Sequence, residues 1–444
     1  MRNFSKKGGI TIFLTSILIT MIMASMVFVH AARSICGASY TDAVLQLAGR
    51  SVLSEFDRRL KDEYGIFAFY GTAGMVAQRI YFYASASFNK EIPGEISINP
   101  GFITDLFRLE LEEINVCLAS YSLMDVDVFE QQIESYMNFM IAQRGIEFIR
   151  NLWSRGTAVG EREADQGGQS PERELRNNAE ILSLPSQGQA PGGINIAQIV
   201  AGGIPSMDTI LSEGTLNFKV NEYILSHFKY NVNGDKDRET FFRNEVEYIL
   251  YGRMSDRENL SRFRSDFILL RTPLNSAHIL SSPQKRGAAQ ALAYPFGAFA
   301  PAAFVAIVAA WSLAEAENDA RLLMAGKNVA LIKTDSTWAL GLENAVRVVV
   351  EDDDNGYMTG VNAFPRQVSG YVSPRSDVGL SYSDYLRLFL YLQRRETKLL
   401  RVMDLIQINL RGSYYEDFLI KSHYTGFSLS AVVSGKKFEY EQKY

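Results

Sequence analysis

The stretch Ile10–Val29 limits what this chain can fold into more than any other part of the sequence. It contains no charged residue, and Arg2, Lys6 and Lys7 precede it. An α-helix of about 20 apolar residues spans a hydrocarbon core of roughly 30 Å. Residues 10–29 therefore predict a transmembrane helix, and residues 1–9 predict a cytoplasmic basic leader because positive charge favours the inner side of a membrane.

A cleaved secretory signal is the alternative interpretation of this stretch. Its apolar run is longer than the usual signal core of about 7–15 residues, and Ala31-Ala32-Arg33 offers small residues without a clean cleavage pattern. We therefore expect a retained single-pass anchor in the cell membrane. The N-terminus would be cytoplasmic and the large C-terminal body would be extracytoplasmic.

The composition indicates a folded body beyond the anchor. Hydrophobic residues make up 47% and charged residues 21% of the 444 residues, an ordinary globular balance. The net charge of −5, with no long basic block after Lys7, argues against a nucleic-acid partner. Two cysteines, Cys36 and Cys117, are too few for a disulfide-rich scaffold, and whether they pair with each other stays open.

Hydrophobic periodicity predicts an α+β fold. Residues 30–62 have apolar positions spaced three or four apart, which predicts an amphipathic stem helix. Residues 63–153 predict an α/β part, with strands at 79–88 and 108–123 and a helix from residue 127. Residues 154–206 are rich in Gly, Gln, Pro and charge, which predicts a flexible linker or insertion.

Residues 207–444 predict a helix-rich part that closes with C-terminal β-strands. We expect helices over 207–230 and 241–250, the latter ended by Gly252, and one long helix over 382–410. Ser255 and Glu258 have the spacing of a capping box at the start of another helix. The β-sheet is expected from segments 64–123 and 411–444, with a turn at Gly435 and a further hairpin over 348–360.

A second uncharged run covers residues 296–314. Lys285 and Arg286 precede this run, and Glu315 and Glu317 follow it. These charges invert the positive-inside expectation for a second span. The run therefore predicts a buried core helix, so that residues 10–29 remain the single span.

Motifs for catalysis or metal binding are lacking in the sequence. It contains no HExxH or CxxC motif, no G-x-S-x-G elbow and no complete phosphate loop. The acidic cluster Asp352, Asp353 and Asp354 is a weak calcium candidate, because carboxylates are suitable ligands but the EF-hand spacing fails at Asn362. A solvated turn at Asn355-Gly356 explains the cluster better. We expect no enzyme activity and no cofactor.

Two sets of residues carry a resemblance to known families. The sequence from Lys7 to Leu14, KGGITIFL, with the apolar helix that follows, resembles the N-termini of TadE- and TadG-like minor pilins of tight-adherence (Tad) pili. The stretches 53–69, 245–260 and 379–393 resemble an uncharacterised family of large single-pass membrane proteins of Gram-positive bacteria, found with Tad-type components. The resemblance covers most of the chain.

The pilin resemblance implies a processing site between Gly9 and Ile10. Pilins usually carry glutamate at the fifth position after that site, where this chain has Leu14. An uncleaved or accessory, pseudopilin-like role is therefore favoured over a filament subunit. Small or weakly polar residues of the span are candidate contacts with a partner helix, with lipid as the equal alternative. These residues are Thr11, Ser16, Thr20, Ala24 and Ser25.

The resulting hypothesis is a membrane-anchored structural or assembly protein of a Tad-like pilus or secretion system. Its expected partners are the membrane and other membrane proteins of that system, with a homo-oligomer left open. Two alternatives remain at this point. A ligand-binding or adhesive ectodomain would show an apolar pocket or calcium, and a wall-polymer hydrolase would show convergent carboxylates, or His423 beside an acid, in a deep cleft.

Overall fold

The chain is mostly helical, with small antiparallel sheets, as seen in a computed structural model. The structure describes residues 7–85, 87–88, 109–155, 183–187, 194, 196, 202–203, 216–232, 240–343, 345, 371–376 and 378–444. This content agrees with the expected α+β class. The described residues divide into a first unit, drawn from 1–61, 67–128 and 421–444, and a second unit, drawn from 62–66 and 129–420.

The first unit contains the N-terminal helix and the sheets. Its helices and strands are α1 (Lys7–Leu53), α2 (Arg58–Tyr64, which ends in the second unit), β1 (Phe69–Tyr70), α3 (Ala73–Ser85), β2 (Leu111–Cys117), β3 (His423–Tyr424), β4 (Gly426–Val433) and β5 (Lys436–Lys443). Strands β2, β4 and β5 form one antiparallel sheet in that order, and β1 pairs with β3. The prediction that segments 64–123 and 411–444 supply the sheet is confirmed at these strands.

Alternation in β4 explains how the three-stranded sheet packs. Phe427, Leu429, Ala431 and Val433 are buried, while the residues between them are mostly half-buried. One face of the sheet therefore enters a core with α1 and α3. The turn between β4 and β5 places Ser434 and Gly435 at φ values of 46° and 72°, which suits a tight two-residue hairpin and confirms the expected turn.

The second unit is built from helices. They are α4 (Val126–Arg155, which begins in the first unit), α5 (Leu216–His227), α6 (Glu245–Tyr251), α7 (Asp256–Ser281), α8 (Pro283–Ala293), α9 (Ala300–Met324), α10 (Tyr382–Leu392) and α11 (Arg395–Ser413), with a 3-10 helix at Tyr294–Phe299. Gly252 ends α6 in the left-handed conformation at φ 65°, as expected of a helix-terminating glycine. Helix α11 is buried from Thr397 to Leu410, so it forms the centre of this unit.

The strand expected over 79–88 is wrong, because α3 occupies Ala73–Ser85. Val76, Ile80 and Ala84 are buried at a spacing of four residues, which is the core face of a helix. Tyr81 and Phe82 are 40% and 50% exposed. The aromatic run that favoured a strand therefore lies largely outside the core.

The capping box expected at Ser255 is also absent. Ser255 precedes α7, but its side chain makes no capping hydrogen bond. The carboxylate of Asp256 instead accepts the amides of Arg243 and Asn244, both at 2.9 Å, so the loop before α7 is tied to the helix start. A complete capping box occurs at Ser381, where α10 begins.

The single helix expected over 382–410 is two helices, because the chain becomes extended at Gln393 (ψ 144°). The Gln393 side chain donates to the carbonyl of Leu250 (2.7 Å) and accepts from the amide of Arg394 (3.0 Å). The helix therefore breaks at Gln393 because of a tertiary contact, since no glycine or proline is present at this position.

The run 296–314 is a buried core helix only in its second part. Trp311 and Ala314 are buried, but Phe296, Phe299 and Val305 are 58%, 76% and 66% exposed. By length and composition, two of the described helical segments could cross a membrane, 11–53 and 283–324. Only 17% of the most apolar window of the second segment is buried.

Candidate functional site

Helix α1 is the candidate anchor. It runs without a break for 47 residues, about 70 Å at 1.5 Å per residue. Its most apolar window has a mean hydropathy of 2.5, and none of that window is buried against the rest of the chain. The same helix therefore combines a bare apolar N-terminal part with a C-terminal part that packs into a folded unit.

The C-terminal part of α1 is fixed to the last strand. Asp42 accepts a 2.6 Å hydrogen bond from the hydroxyl of Tyr440, and Gln442 donates to the carbonyl of Gln46 at 3.2 Å. Burial is the main cause that raises the pKa of the Tyr440 hydroxyl, and the hydrogen bond to Asp42 raises it further. The hydroxyl therefore stays protonated and remains a donor. A methyl group on Gly49 would lie 2.3 Å from the Gln442 side chain, so helix and strand are in close contact here.

The five candidate helix-contact residues do not share one face of α1. At roughly 100° per residue, Ser16, Thr20 and Ala24 lie within a narrow stripe. Thr11 and Ser25 lie on the other side of the helix, about 180° and 140° from Thr20. Ser25 lies there in a shallow groove with Leu18 and Val29.

Hydroxyl groups of the span bond within the helix. Thr20 donates to the carbonyl of Ile17, and Ser25 donates to the carbonyl of Met21, each at 2.8 Å. Such bonds let hydroxyl groups face lipid without a polar partner on another helix. These internal bonds are therefore compatible with a helix surrounded by lipid and with one that contacts a partner helix. If a partner helix is present, the stripe of Ser16, Thr20 and Ala24 is the face that it could approach most closely.

The remaining sequence candidates are located as follows. The peptide bond between Gly9 and Ile10 lies in the first turn of α1. The acidic residues 352–354 and the expected hairpin over 348–360 lie outside the described residues. Within the described residues, no cluster of three or more His, Cys, Asp or Glu side chains is arranged to hold a metal ion. The thiols of Cys36 and Cys117 are unpaired and exposed.

His423 does lie beside an acid, since its Nε2 is 3.7 Å from a carboxylate oxygen of Asp57. The histidine is only 2% exposed, and its ring lies against Tyr70. Burial raises the pKa of Asp57, but hydrogen bonding to His423 and to the amide of Leu60 lowers it below its ordinary value. This arrangement caps α2 inside a packed core and is not the open cleft that a hydrolase would need.

The second unit contains a buried cluster of four charges, here termed the charge quartet, formed by Arg271, Glu315, Asp319 and Lys333. Lys333 Nζ lies 2.8 Å from Glu315 and 2.6 Å from Asp319, and Arg271 Nη2 lies 3.0 Å from Asp319. All four side chains are at most 2% exposed. The two positive and two negative charges balance, which is the condition for keeping charge in an interior.

The quartet fixes a loop to two helices. Glu315 accepts the amides of Ala339 and Leu340, each at 2.9 Å, and Lys333 donates to the carbonyl of Thr337 at 2.9 Å. Burial raises the pKa of Glu315, although Lys333 opposes this change. Every contact in the quartet is thus internal, and its chemistry is that of a structural clamp.

Comparison with known proteins places this chain in a family. The profile of a family of unknown function (DUF5702) matches residues 169–435, more than half of the chain. The chain belongs to this family. No curated protein and no solved structure matches the chain. The matched DUF5702 segment begins well after α1 and includes the whole charge quartet.

Among the other buried ionisable groups of the DUF5702 segment, Glu247 and Lys398 have pKa values shifted toward neutrality, and sequence reasoning missed both. Glu247 accepts from the hydroxyl of Tyr382 (2.5 Å) and the amide of Asn231 (3.1 Å), while its second carboxylate oxygen is buried without a hydrogen bond. Burial raises the pKa of Glu247 to about 7. Burial also lowers the pKa of Lys398 to about 7, although the charge of Glu130 opposes this change. The Nζ of Lys398 donates to Asn221 at 2.6 Å.

A sequence signal for the quartet did exist. Glu315 and Asp319 are four residues apart on α9, directly after a long uncharged run. Carboxylates at that spacing share one helix face, and next to an apolar stripe they indicate buried partners. Their basic partners lie on α7 and in a loop, at sequence distances that no short motif can reveal.

Proposed function

We propose that the chain is a membrane-anchored structural or assembly protein whose folded part lies outside the cell membrane, in a Tad-like pilus or secretion system. The continuity of α1 supports this proposal best. An unbroken helix couples a bare apolar segment of membrane-spanning length to a packed sheet, so a load on either end would pass through helical backbone and not through a flexible linker.

The basic residues before the span support a cytoplasmic N-terminus. Arg2, Lys6 and Lys7 precede residues 10–29, and such residues favour the inner side. The pilin-like sequence KGGITIFL supports an association with pilus-type membrane proteins. Leu14 at the position of the usual pilin glutamate favours an accessory role over a place in a filament shaft.

Charge insertion at two exposed apolar positions of α1 tests the anchor. Ile19 and Leu47 are 55% and 65% exposed, and they lie in the span and in the stem. Arginine at the centre of a span costs about 2.5–3.5 kcal/mol of insertion free energy. Ile19→Arg should therefore move the chain from the alkali-resistant membrane fraction to the alkali-extractable fraction, whereas the control Leu47→Arg should stay in the membrane fraction. Equal behaviour of both variants would contradict anchoring by α1.

Co-purification tests the assembly role. The full chain, extracted in mild detergent, should bring down pilus- or secretion-type membrane proteins. Ala24→Leu should weaken that association if the small-residue stripe contacts a partner helix, and Ser25→Leu on the opposite side serves as the matched control. A chain that purifies alone, and whose deletion leaves pilus or secretion complexes intact, would refute the assembly role.

A further inference from the structure

The strongest unexplained surface is an apolar helical hairpin in the second unit. It consists of α8, the 3-10 helix Tyr294–Phe299 and the first part of α9, and it is termed the 283–310 hairpin. Its large exposed apolar side chains cluster at and near the turn. They are Leu292 (44%), Tyr294 (83%), Phe296 (58%), Phe299 (76%) and Val305 (66%).

The hairpin is a defined structure and not a loose loop. The amide of Tyr294 donates to the carbonyl of Gln290, and the amide of Ala300 donates to the carbonyl of Gly297. Gly297 has φ 56° and ψ −118°, so the sharp turn uses a conformation that glycine allows. The aromatic side chains are therefore presented at a fixed tip.

The opposite end of the hairpin is built into the unit. At the start of α8, Ser282 is buried and Lys285 pairs with Asp335, and α9 is mostly buried from Trp311 onward. The charge quartet holds that later part of α9 through Glu315 and Asp319. Only the outer part of the hairpin is therefore available to contact a lipid bilayer or another molecule. Helix α9 as a whole cannot leave its unit to span a membrane.

We infer that the tip of the 283–310 hairpin inserts into the interface of a lipid bilayer. Residues 287–310 contain no charge, and Gln290 and Tyr294 are the only side chains there with polar atoms. A protein partner would be expected to meet a polar rim with several hydrogen-bonding groups. Tyrosine beside exposed phenylalanine suits the boundary between headgroups and acyl chains.

The position of Arg286 fits the same occupant. This exposed residue precedes the tip residue Tyr294 on α8, at an axial distance of about 12 Å. Interfacial segments insert their apolar face by about 5–10 Å. A tip at that depth would place the guanidinium group near lipid phosphates, which it binds favourably. The inference rests on the proposed membrane anchoring, since α1 would keep the hairpin close to a bilayer.

Lipid-bound quenchers test this inference in the full chain reconstituted into vesicles of phosphatidylcholine and phosphatidylglycerol. The exposed thiols are first removed by Cys36→Ser and Cys117→Ser, and a single NBD fluorophore is attached to one introduced thiol. Phe299→Cys reports on the tip. Val378→Cys, at a residue that is 73% exposed and off the hairpin, is the matched control, and Met23→Cys reports on the span.

The expected result is a loss of NBD fluorescence for Phe299→Cys when lipids carry a quencher near the headgroup, with little loss for Val378→Cys. Arg286→Gln should reduce the loss at the tip, and more so in vesicles with phosphatidylglycerol. For Met23→Cys the quencher is placed deep in the acyl chains, because this residue lies near the middle of the span. Quenching of Met23→Cys by that lipid, without quenching of Phe299→Cys by the headgroup lipid, would overturn the hairpin inference and leave the anchor standing. Absence of quenching at both positions would overturn the anchor as well. A tip shielded from aqueous iodide but not quenched by lipid would assign the surface to a protein and overturn the inference.

Discussion

Replacement of Glu247 by glutamine should stabilise the protein at neutral pH. Burial raises the pKa of this carboxyl from an ordinary value of 4.5 to about 7. At about 1.4 kcal/mol per pKa unit, deprotonation of the folded chain costs about 3 kcal/mol of stability. Because the folded state holds the proton more tightly than the unfolded state, the wild-type free energy of unfolding falls as pH rises from about 4.5 to 7, and this contribution is constant above pH 7.

Glu247→Gln removes this pH dependence and preserves the shape of the side chain. Its amide oxygen can accept from Tyr382 and Asn231 as the carboxylate does. The variant should therefore equal the wild type near pH 4.5 and exceed it by about 3 kcal/mol above pH 7. Urea unfolding of the full chain in detergent micelles, followed by fluorescence, measures the difference at each pH. Trp311 and Trp338, which are 5% and 8% exposed, report on this unit.

Glu222→Gln is the matched control, because it makes the same change at a buried glutamate that is paired with a cation. Glu222 accepts from Arg387 at 2.6 Å and 3.2 Å. Removing one partner of a buried ion pair costs about 3–5 kcal/mol, so this variant should be less stable than the wild type. A Glu247→Gln variant that gains nothing at pH 7.5, or whose advantage persists unchanged at pH 4.5, would refute the reasoning.

Three further predictions concern stability of the second unit, and thermal unfolding checks each of them. Ser381→Ala should cost about 1 kcal/mol because it removes a working capping box, while Ser255→Ala should cost much less. Gly252→Ala should destabilise by about 1 kcal/mol or more, because φ is 65° and the new methyl group would lie 2.7 Å from the Arg401 side chain. Lys333→Met should cost about 3–5 kcal/mol, since it leaves the buried carboxylates of α9 without their shared cation. A loss under about 1 kcal/mol for this last variant would contradict the clamp role of the quartet.

The sequence predicted elements well where one periodicity dominates. Helices α4 and α6 and the hairpin of β4 and β5 were all expected from apolar spacing and turn residues. Segment 79–88 misled because Tyr81 and Phe82 favour strands, while the helical signal is carried by smaller residues four positions apart. The burial of one helix face, which is a tertiary effect, therefore determined the structure of this segment, and the local strand propensity did not.

Features that depend on distant partners were beyond single-sequence reasoning. The break at Gln393 depends on the carbonyl of Leu250, and the quartet joins Arg271 to Asp319 and Lys333. Neither arrangement leaves a local pattern. The exposed tip around Phe299 was missed for another reason, because an apolar residue predicts burial in a protein core and burial in lipid equally well.

The bond between Tyr440 and Asp42 joins residues 398 positions apart in sequence, which has a consequence for how the protein is made. The apolar face of α1 at Leu45, Ala48 and Val52 packs in a core that includes β4. During synthesis this core can form only in part, with α3, until β4 and β5 at the end of the chain have been made. Contacts of such long range form slowly and leave apolar surface open meanwhile. The first unit therefore completes its core last, and a chain that stops short of β4 would leave that core incomplete.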